Sequence, residues 1–134
     1  MKIHSEIRRA VIDRLTAHLP KVKEFSNGKP SFSDIENQSP TVAVFISNVT
    51  PTGYLDGTLQ ATLHVAAFMK SASREDDLDK LAQEIYESGM VEDSLSSLTE
   101  TTSFSSFDYD QDEQMATWIA ADIQYNITYE VNNG

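Results

Sequence analysis

A chain of 134 residues with no cysteine is sized for one domain, residues 1–134, with an apolar core that needs neither disulfide nor metal to hold it. Its 21 acidic against 10 basic residues, a formal net charge of −11, exclude a protein that works by neutralising nucleic-acid phosphates. No apolar stretch approaches the ~20 residues that span a bilayer, and the opening Met1-Lys2-Ile3-His4-Ser5-Glu6 lacks a signal-peptide core, so the expectation is a soluble cytoplasmic protein without membrane contact.

The first element is an amphipathic helix. Ile3, Ile7, Val11, Leu15 and Leu19 recur at i+4, flanked by Ala10 and Ile12, while Lys2, Glu6, Arg9, Asp13 and Thr16 form the wet face. Pro20 stops it. Residues 21–40 are polar and turn-rich, with Asn27-Gly28, Pro30 and Gln38-Ser39-Pro40, and a short strand there can pack Val22 and Phe25. Residues 41–48 read as a strand covered on both faces. A turn-rich stretch around Thr52, Gly53, Tyr54 and Gly57 leads to a second strand over 58–69, giving a hairpin with an extended tip.

A second helix is predicted from about Arg74 to Ser88. Ser73 is its expected N-cap, Glu75, Asp76 and Asp77 suit the positive end of the helix dipole, and Gly89 suits the C-terminal cap. Leu78, Leu81, Ala82 and Ile85 form its apolar stripe, with Tyr86 at the edge. A further turn of helix within 91–100 can bury Leu95 and Leu98. Phe104, Phe107 and Tyr109 mark the next strand, and the acidic run from Asp108 to Glu113 marks its turn. From Met115 to Val131 the odd positions are apolar apart from Thr117, and the even positions from Asp122 onward are polar. One strand of that length would exceed 50 Å at ~3.3 Å per residue. A bulge, a bend or an early end near Trp118 is therefore expected. The order of elements gives an α+β, two-layer sandwich: a mainly antiparallel sheet with two helices packed on one face.

Charge is unevenly spread. Residues 1–29 carry a net +4 and residues 30–134 a net −15. Such polarity is either an ordinary soluble surface or a self-complementary one suited to head-to-tail association.

Signals for chemistry are sparse. His4, His18 and His64 share no metal-ligand spacing, and there is no phosphate loop or nucleophile elbow. His64, mid-strand among apolar neighbours, reads as a satisfied sheet residue. Asp108, Asp110 and Asp112 copy positions 1, 3 and 5 of a calcium loop. The copy fails where Glu113 replaces the glycine of position 6 and Ile119 the glutamate of position 12. Asp108, Asp110, Asp112 and Glu113 are thus a solvated turn or, at most, weak divalent-cation candidates. No cofactor is expected beyond a weak divalent effect on assembly. Trp118 falls on the polar face with Asp122, either as an interface anchor or turned into the core by a bend.

The chain resembles the minor tail protein U, or tail terminator, family of lambda-like long-tailed phages. The resemblance is carried by His4-x-Glu6-x-Arg8-x-Ala10-Val11-x-Asp13-x-Leu15-x-x-His18, Phe25-x-x-Gly28-Lys29-Pro30 and Pro40-x-Val42-Ala43-Val44. It continues through Thr52-Gly53, Leu55-Asp56, Gln60-Ala61-x-Leu63-His64-Val65, Phe68, Leu78-Asp79 and Glu84-Ile85-Tyr86. It closes on Asp108-Tyr109, Asp112, Trp118, Ala121-Asp122, Tyr125 and Ile127-Thr128-Tyr129-Glu130. The acidic turn and the Gly28 region depart in detail.

The resemblance implies a structural protein of the virion tail, assembled in the host cytoplasm, with no catalytic residues. It implies a homo-hexameric ring that docks on the tail-tube major subunit, stops tube growth and offers a surface to a head–tail connector protein. DNA would pass through the lumen without sequence-specific binding. Interface candidates are Arg8, Arg9, Arg14, Thr52, Tyr54, Trp118 and Asp122. Two alternatives remain: another ring-forming head–tail joining or tail-completion protein, and a small metal-dependent hydrolase using Asp108, Asp110, Asp112 and His64.

Overall fold

The computed structural model describes residues 1–53 and 57–131. In chain order the elements are α1 (Lys2–His18), β1 (Glu24–Asn27), α2 (Ile35–Gln38), β2 (Thr41–Pro51), β3 (Thr58–Lys70), α3 (Glu75–Glu87), α4 (Met90–Ser94), β4 (Thr101–Gln111) and β5 (Trp118–Glu130). The five strands form one sheet in the order β1-β2-β3-β5-β4. All neighbours are antiparallel except β1 and β2, which run parallel. The expected α+β two-layer sandwich is the architecture observed.

The core is built by the two periodicities meeting. The i+4 spacing of Ile3, Ile7, Val11 and Leu15 puts all four on the buried side of α1, and Leu78, Leu81, Ala82 and Ile85 do the same for α3. Against them the period of two presents Val42 and Val44 of β2, Leu63, Val65 and Ala67 of β3, and Ile123, Tyr125, Ile127 and Tyr129 of β5. Helix α4 packs Val91 beside α1, and Leu95 just after it is also buried. An ion pair between Arg14 and Asp93 ties α4 to α1. Tyr129 reaches across to His4, whose Nε2 lies 2.5 Å from its hydroxyl. Burial pushes the Tyr129 hydroxyl up to about 12 and, with the nearby N-terminal and Arg8 charges, lowers His4 from its ordinary value.

Several expectations are corrected in detail. The α3 N-cap is Arg74, without a side-chain cap bond, rather than Ser73. The Ser73 amide is drawn into a turn onto the Lys70 carbonyl, 2.9 Å away, so the helix starts one residue later. The acidic run does not all lie in a turn: Asp108 to Gln111 belong to β4, and only Asp112 and Glu113 begin the connection. The last strand starts at Trp118, the third of the three breaks expected there, so Met115 is a turn residue, 77% exposed, and not part of the dry face. Phe104, Phe107 and Tyr109 differ in parity, yet all face the helices, because a register shift between Phe104 and Ser106 inserts one residue. Gly89, at φ +67°, takes the left-handed turn that separates α3 from α4.

The central role of the α1 stripe gives a direct test. Leu15→Ala should lower stability by roughly 2–5 kcal/mol, while Asp13→Ala on the wet face should stay within about 0.5 kcal/mol. Urea titration checks both, with the midpoint of Leu15→Ala falling at unchanged slope.

Candidate functional site

Helices α1, α3 and α4 cover one face of the sheet, while the short α2 lies at one end of the other, so function must be sought on that other face, at its edges and at its loops. The open face carries the even-numbered residues of β3 and β5 and the odd-numbered residues of β2. At one end it is aromatic. Ala43, Ala66 and Ala120 leave room for larger neighbours, and Phe68 fills it, meeting Phe32 at 5.2 Å and Trp118 at 5.2 Å and 76°. Trp118 therefore shares a face with Asp122, as the period of two requires. It does not bend through to the helix side but sits half-buried edge-on to Phe68. A cleft of about 610 Å³ opens beside these rings, bounded by Phe32 and Phe45 on one flank and Asp110 and Met115 on the other.

The middle of the face is polar and bonded within itself, except for the buried Oδ1 of Asp122, which has no partner among the described residues. The Asp122 carboxylate can only accept, so the proton of His64 lies on Nδ1, 2.7 Å from Asp122 Oδ2. His64 Nε2 faces the Ser47 hydroxyl at 2.7 Å, and the ring stacks on Phe45 at 4.4 Å. Gln124 Nε2 donates to Asp108 Oδ2 at 2.7 Å and to Asp122 Oδ2 at 3.1 Å. Asp108 and Asp122 are register partners across β4 and β5, an unfavourable placement for like charges that the Gln124 amide bridges. The sequence of groups Ser47–His64–Asp122 is that of a hydrolase relay. The cleft beside the aromatic rings, however, is lined by Asp122 and Phe45 but by neither Ser47 nor His64. The relay does not open into that cleft, and it reads as polar bonding across three strands that leaves Asp122 Oδ1 without a partner among the described residues. Sequence reasoning placed His64 correctly as a sheet residue. It missed Ser47, because diagonal cross-strand contacts depend on register.

The acidic run is divided by its own hydrogen bonds. Asp112 caps the turn into β5. It accepts from the amides of Gln114 (3.1 Å), Met115 (3.2 Å) and Thr117 (3.0 Å) and from the Thr117 hydroxyl (2.6 Å). The Thr117 hydroxyl above all, then the amides of Thr117 and Met115, hold its carboxyl down at about 2. Asp110 Oδ1 takes the Gln111 amide at 2.8 Å, and Glu113 is exposed. Among the described residues no three acidic or histidine side chains converge on a point that could hold a metal ion. Asp108, Asp110, Asp112 and Glu113 are not brought together, nor does His64 join the last three.

The remaining candidates are scattered. Arg8 Nε donates to Asn27 Oδ1 at 2.6 Å, which fastens α1 to β1. Arg14 is engaged by Asp93. Arg9 is exposed on the outer side of α1. Thr52 donates its amide to the Thr58 carbonyl at 3.2 Å near the hairpin tip. Tyr54 lies outside the described residues.

Asp112 supplies the test here. Its pKa in the folded protein lies below the ordinary 3.8, so its contribution to stability is present above that value and is lost as pH falls through about 2. Asp112→Asn should therefore melt below the parent protein at neutral pH, with the gap closing between about pH 4 and pH 2. A gap that stays constant across that window in thermal melts would show that the charge is not what holds the turn.

Residues 2–129 match the family described as phage minor tail protein U. The tail tube terminator protein of Escherichia phage lambda is 35% identical over 131 residues, covering 96% of this chain and 98% of that protein. The tail tube terminator protein of Escherichia phage N15 is 32% identical over the same length and with the same coverage.

Proposed function

Because the chain belongs to the phage minor tail protein U family, one of structural tail proteins rather than enzymes, we propose that it is a tail tube terminator. In this reading it is a component of the virion tail, assembled in the host cytoplasm. Six copies form a ring that seats on the end of the tail tube, halts addition of the major tube subunit and presents its other side to a head–tail connector protein. The observation that carries the proposal is the length of the likeness, which takes in all four helices and the five strands of the described residues but for the last residue of β5. An open face whose His64, Asp122, Gln124 and Asp108 side chains are largely bonded to one another supports it.

The dimensions suit a conduit. A globule of this length has a radius of gyration near 14 Å, so a protomer is roughly 36 Å across, and six in a ring leave a hole about one protomer wide. That hole passes a DNA duplex. The acidic balance keeps the lumen from gripping its passenger and argues against sequence-specific binding. Six copies at −11 each also repel one another. Divalent cations would ease closure by screening, the exposed Glu113 being one place for them to collect, without a dedicated site. Of the interface candidates, Arg9 lies on α1 and Thr52 follows the end of β2; Tyr54 belongs to the connection from β2 to β3, which in this reading touches the tube subunit or the connector. Arg8, Arg14 and Asp122 are already engaged within their own chain, and Trp118 by Phe68. The four would contribute through the shape they hold rather than through free charge.

Electron microscopy of the protein mixed with its polymerising tube subunit tests this. Tubes should stop lengthening and carry a ring at one end. Tubes that grow on uncapped, while the protein binds a connector instead, would favour the head–tail joining alternative. Replacing residues 50–57 by a two-residue Asn-Gly turn should leave the number of copies per ring unchanged in native mass spectrometry while tubes lose their caps. Capping by the shortened protein would reduce the tip to a linker.

A further inference from the structure

We propose that copies of this chain join edge to edge. The basic flank formed by α1 and β1 of one protomer docks into the acidic flank formed by β4, the turn after it and the start of α3 of the next. The proposal rests on the ring reading above and assigns the surfaces that would close the ring.

Three observations carry it. The first is topological. β1 and β4 are the two edges of one sheet, at opposite ends of the strand order. No strand pairs with the outer side of β4, and β1 pairs with β2 only from Thr41 to Val44, leaving the rest of β2 unpaired on that side. Unpaired strand edges are pairing surfaces by nature.

The second is charge. Residues 1–29, which make up α1 and β1, carry a net +4. Arg8 and Arg14 are consumed by Asn27 and Asp93. Arg9, Lys21 and Lys23 remain exposed, and none forms an ion pair among the described residues. Residues 101–117, which make up β4 and the turn, contain Asp108, Asp110, Asp112 and Glu113 and not one lysine or arginine.

The third is the shape of that acidic flank. Between α3 and the end of β4 runs a groove of about 610 Å³ lined by Glu75, Asp79, Asp110 and Glu113, with Tyr109 among them. Tyr109 is 65% exposed, and its hydroxyl, donated to Asp79 Oδ1 at 2.8 Å, fixes the ring at the groove wall. A held, exposed tyrosine inside an acidic groove is the kind of anchor that protein interfaces use, and the missing countercharge is what the opposite edge of the same chain displays.

The alternative contact, the open face around Trp118 and Asp122, is less suited to a basic partner. The Asp122 carboxylate is already shared by His64 and Gln124. Exposed ion pairs are individually weak, so in the edge contact they set direction and register while Tyr109 and the strand edge supply the buried area. The two patches differ and sit at opposite ends of one sheet. The contact is therefore head to tail, and a closed ring needs only that each step turns by a fixed angle.

The test uses two charge-reversed full-length chains: Asp110→Lys with Glu113→Lys, and Arg9→Glu with Lys23→Glu. All four positions are exposed, and circular dichroism confirms folding. Native mass spectrometry is run under conditions in which the parent chain assembles. Each variant alone, with like charges at both edges, should stay monomeric. Mixed one to one, the reversed acidic edge of the first meets the reversed basic edge of the second, and their unaltered edges also match. Alternating rings with three of each should therefore form. Should either reversal fail to fold, the neutral pair Asp110→Asn with Glu113→Gln should weaken assembly at least tenfold in concentration. Variants that assemble normally on their own, or a folded mixture that stays monomeric, would overturn the proposal. A parent chain that joins head to tail in a number other than six would overturn the hexamer and leave the edge contact standing. One that never self-associates overturns both.

Discussion

The structure depends on the pairing of β3 with β5. Thirteen residues of each strand, Thr58–Lys70 and Trp118–Glu130, run antiparallel in unbroken register through the middle of the sheet. Because side chains alternate with a period of two, a slip of one residue would turn one strand over, sending either Leu63 and Val65 or Ile123 and Tyr125 to solvent and bringing either His64 or Asp122 and Gln124 under the helices. The apolar set is too large and the polar set too costly to desolvate for any register but this one. Once that pair is fixed, α1 and α3 have a surface to cover, and the opposite face inherits its mixture of aromatic and polar groups.

Much of this was legible in the sequence, and the limits are physical. Helix α1 and the stripe of α3 follow from local spacing, and so does the alternation that continues to Tyr129. That some break falls near Trp118 followed from length, since no ordinary strand runs from Met115 to Val131, but length did not decide between a bulge, a bend and the observed end of the strand. What escaped depended on partners distant in sequence. The parallel pairing of β1 leaves no local pattern in Glu24–Asn27. The four residues of α2 are too few for periodicity. Ser73 has the right chemistry for a cap but is held by the turn after β3. The acidic run looked like one loop because carboxylates favour turns, yet Asp108 and Asp110 lie within a β4 whose inner face Phe107 and Tyr109 had already committed to the helices. The Ser47–His64–Asp122 chain needs three strands in register before its members meet.

The distribution of polar groups separates what the molecule uses for itself from what it leaves available. On the open face His64, Asp122, Gln124 and Asp108 bond one another, with Asp122 Oδ1 left buried and unpartnered among the described residues, Phe68 holds Trp118, and Asp112 gives its carboxylate to its own turn. Free charge collects instead at the two ends of the strand order. A protein whose work is to sit between other proteins gains from this division, because a face bonded largely within itself competes weakly for partners and does not bias the geometry of the contacts made at the rim.

The irregularities of the sheet are placed with the same economy. The inner pair is continuous, but β2 shifts register between Ser47 and Thr50, with Asn48 at φ +56°, and β4 shifts between Phe104 and Ser106. Both breaks fall in strands with an uncovered side. A regular, flat strand edge of eleven residues would template cross-β stacking with any other extended chain. A bulge interrupts the row of amides and twists it, and the carboxylates of β4 add repulsion between like edges. Stacking of one β4 edge on another is therefore disfavoured, because the row of amides breaks where the register shifts.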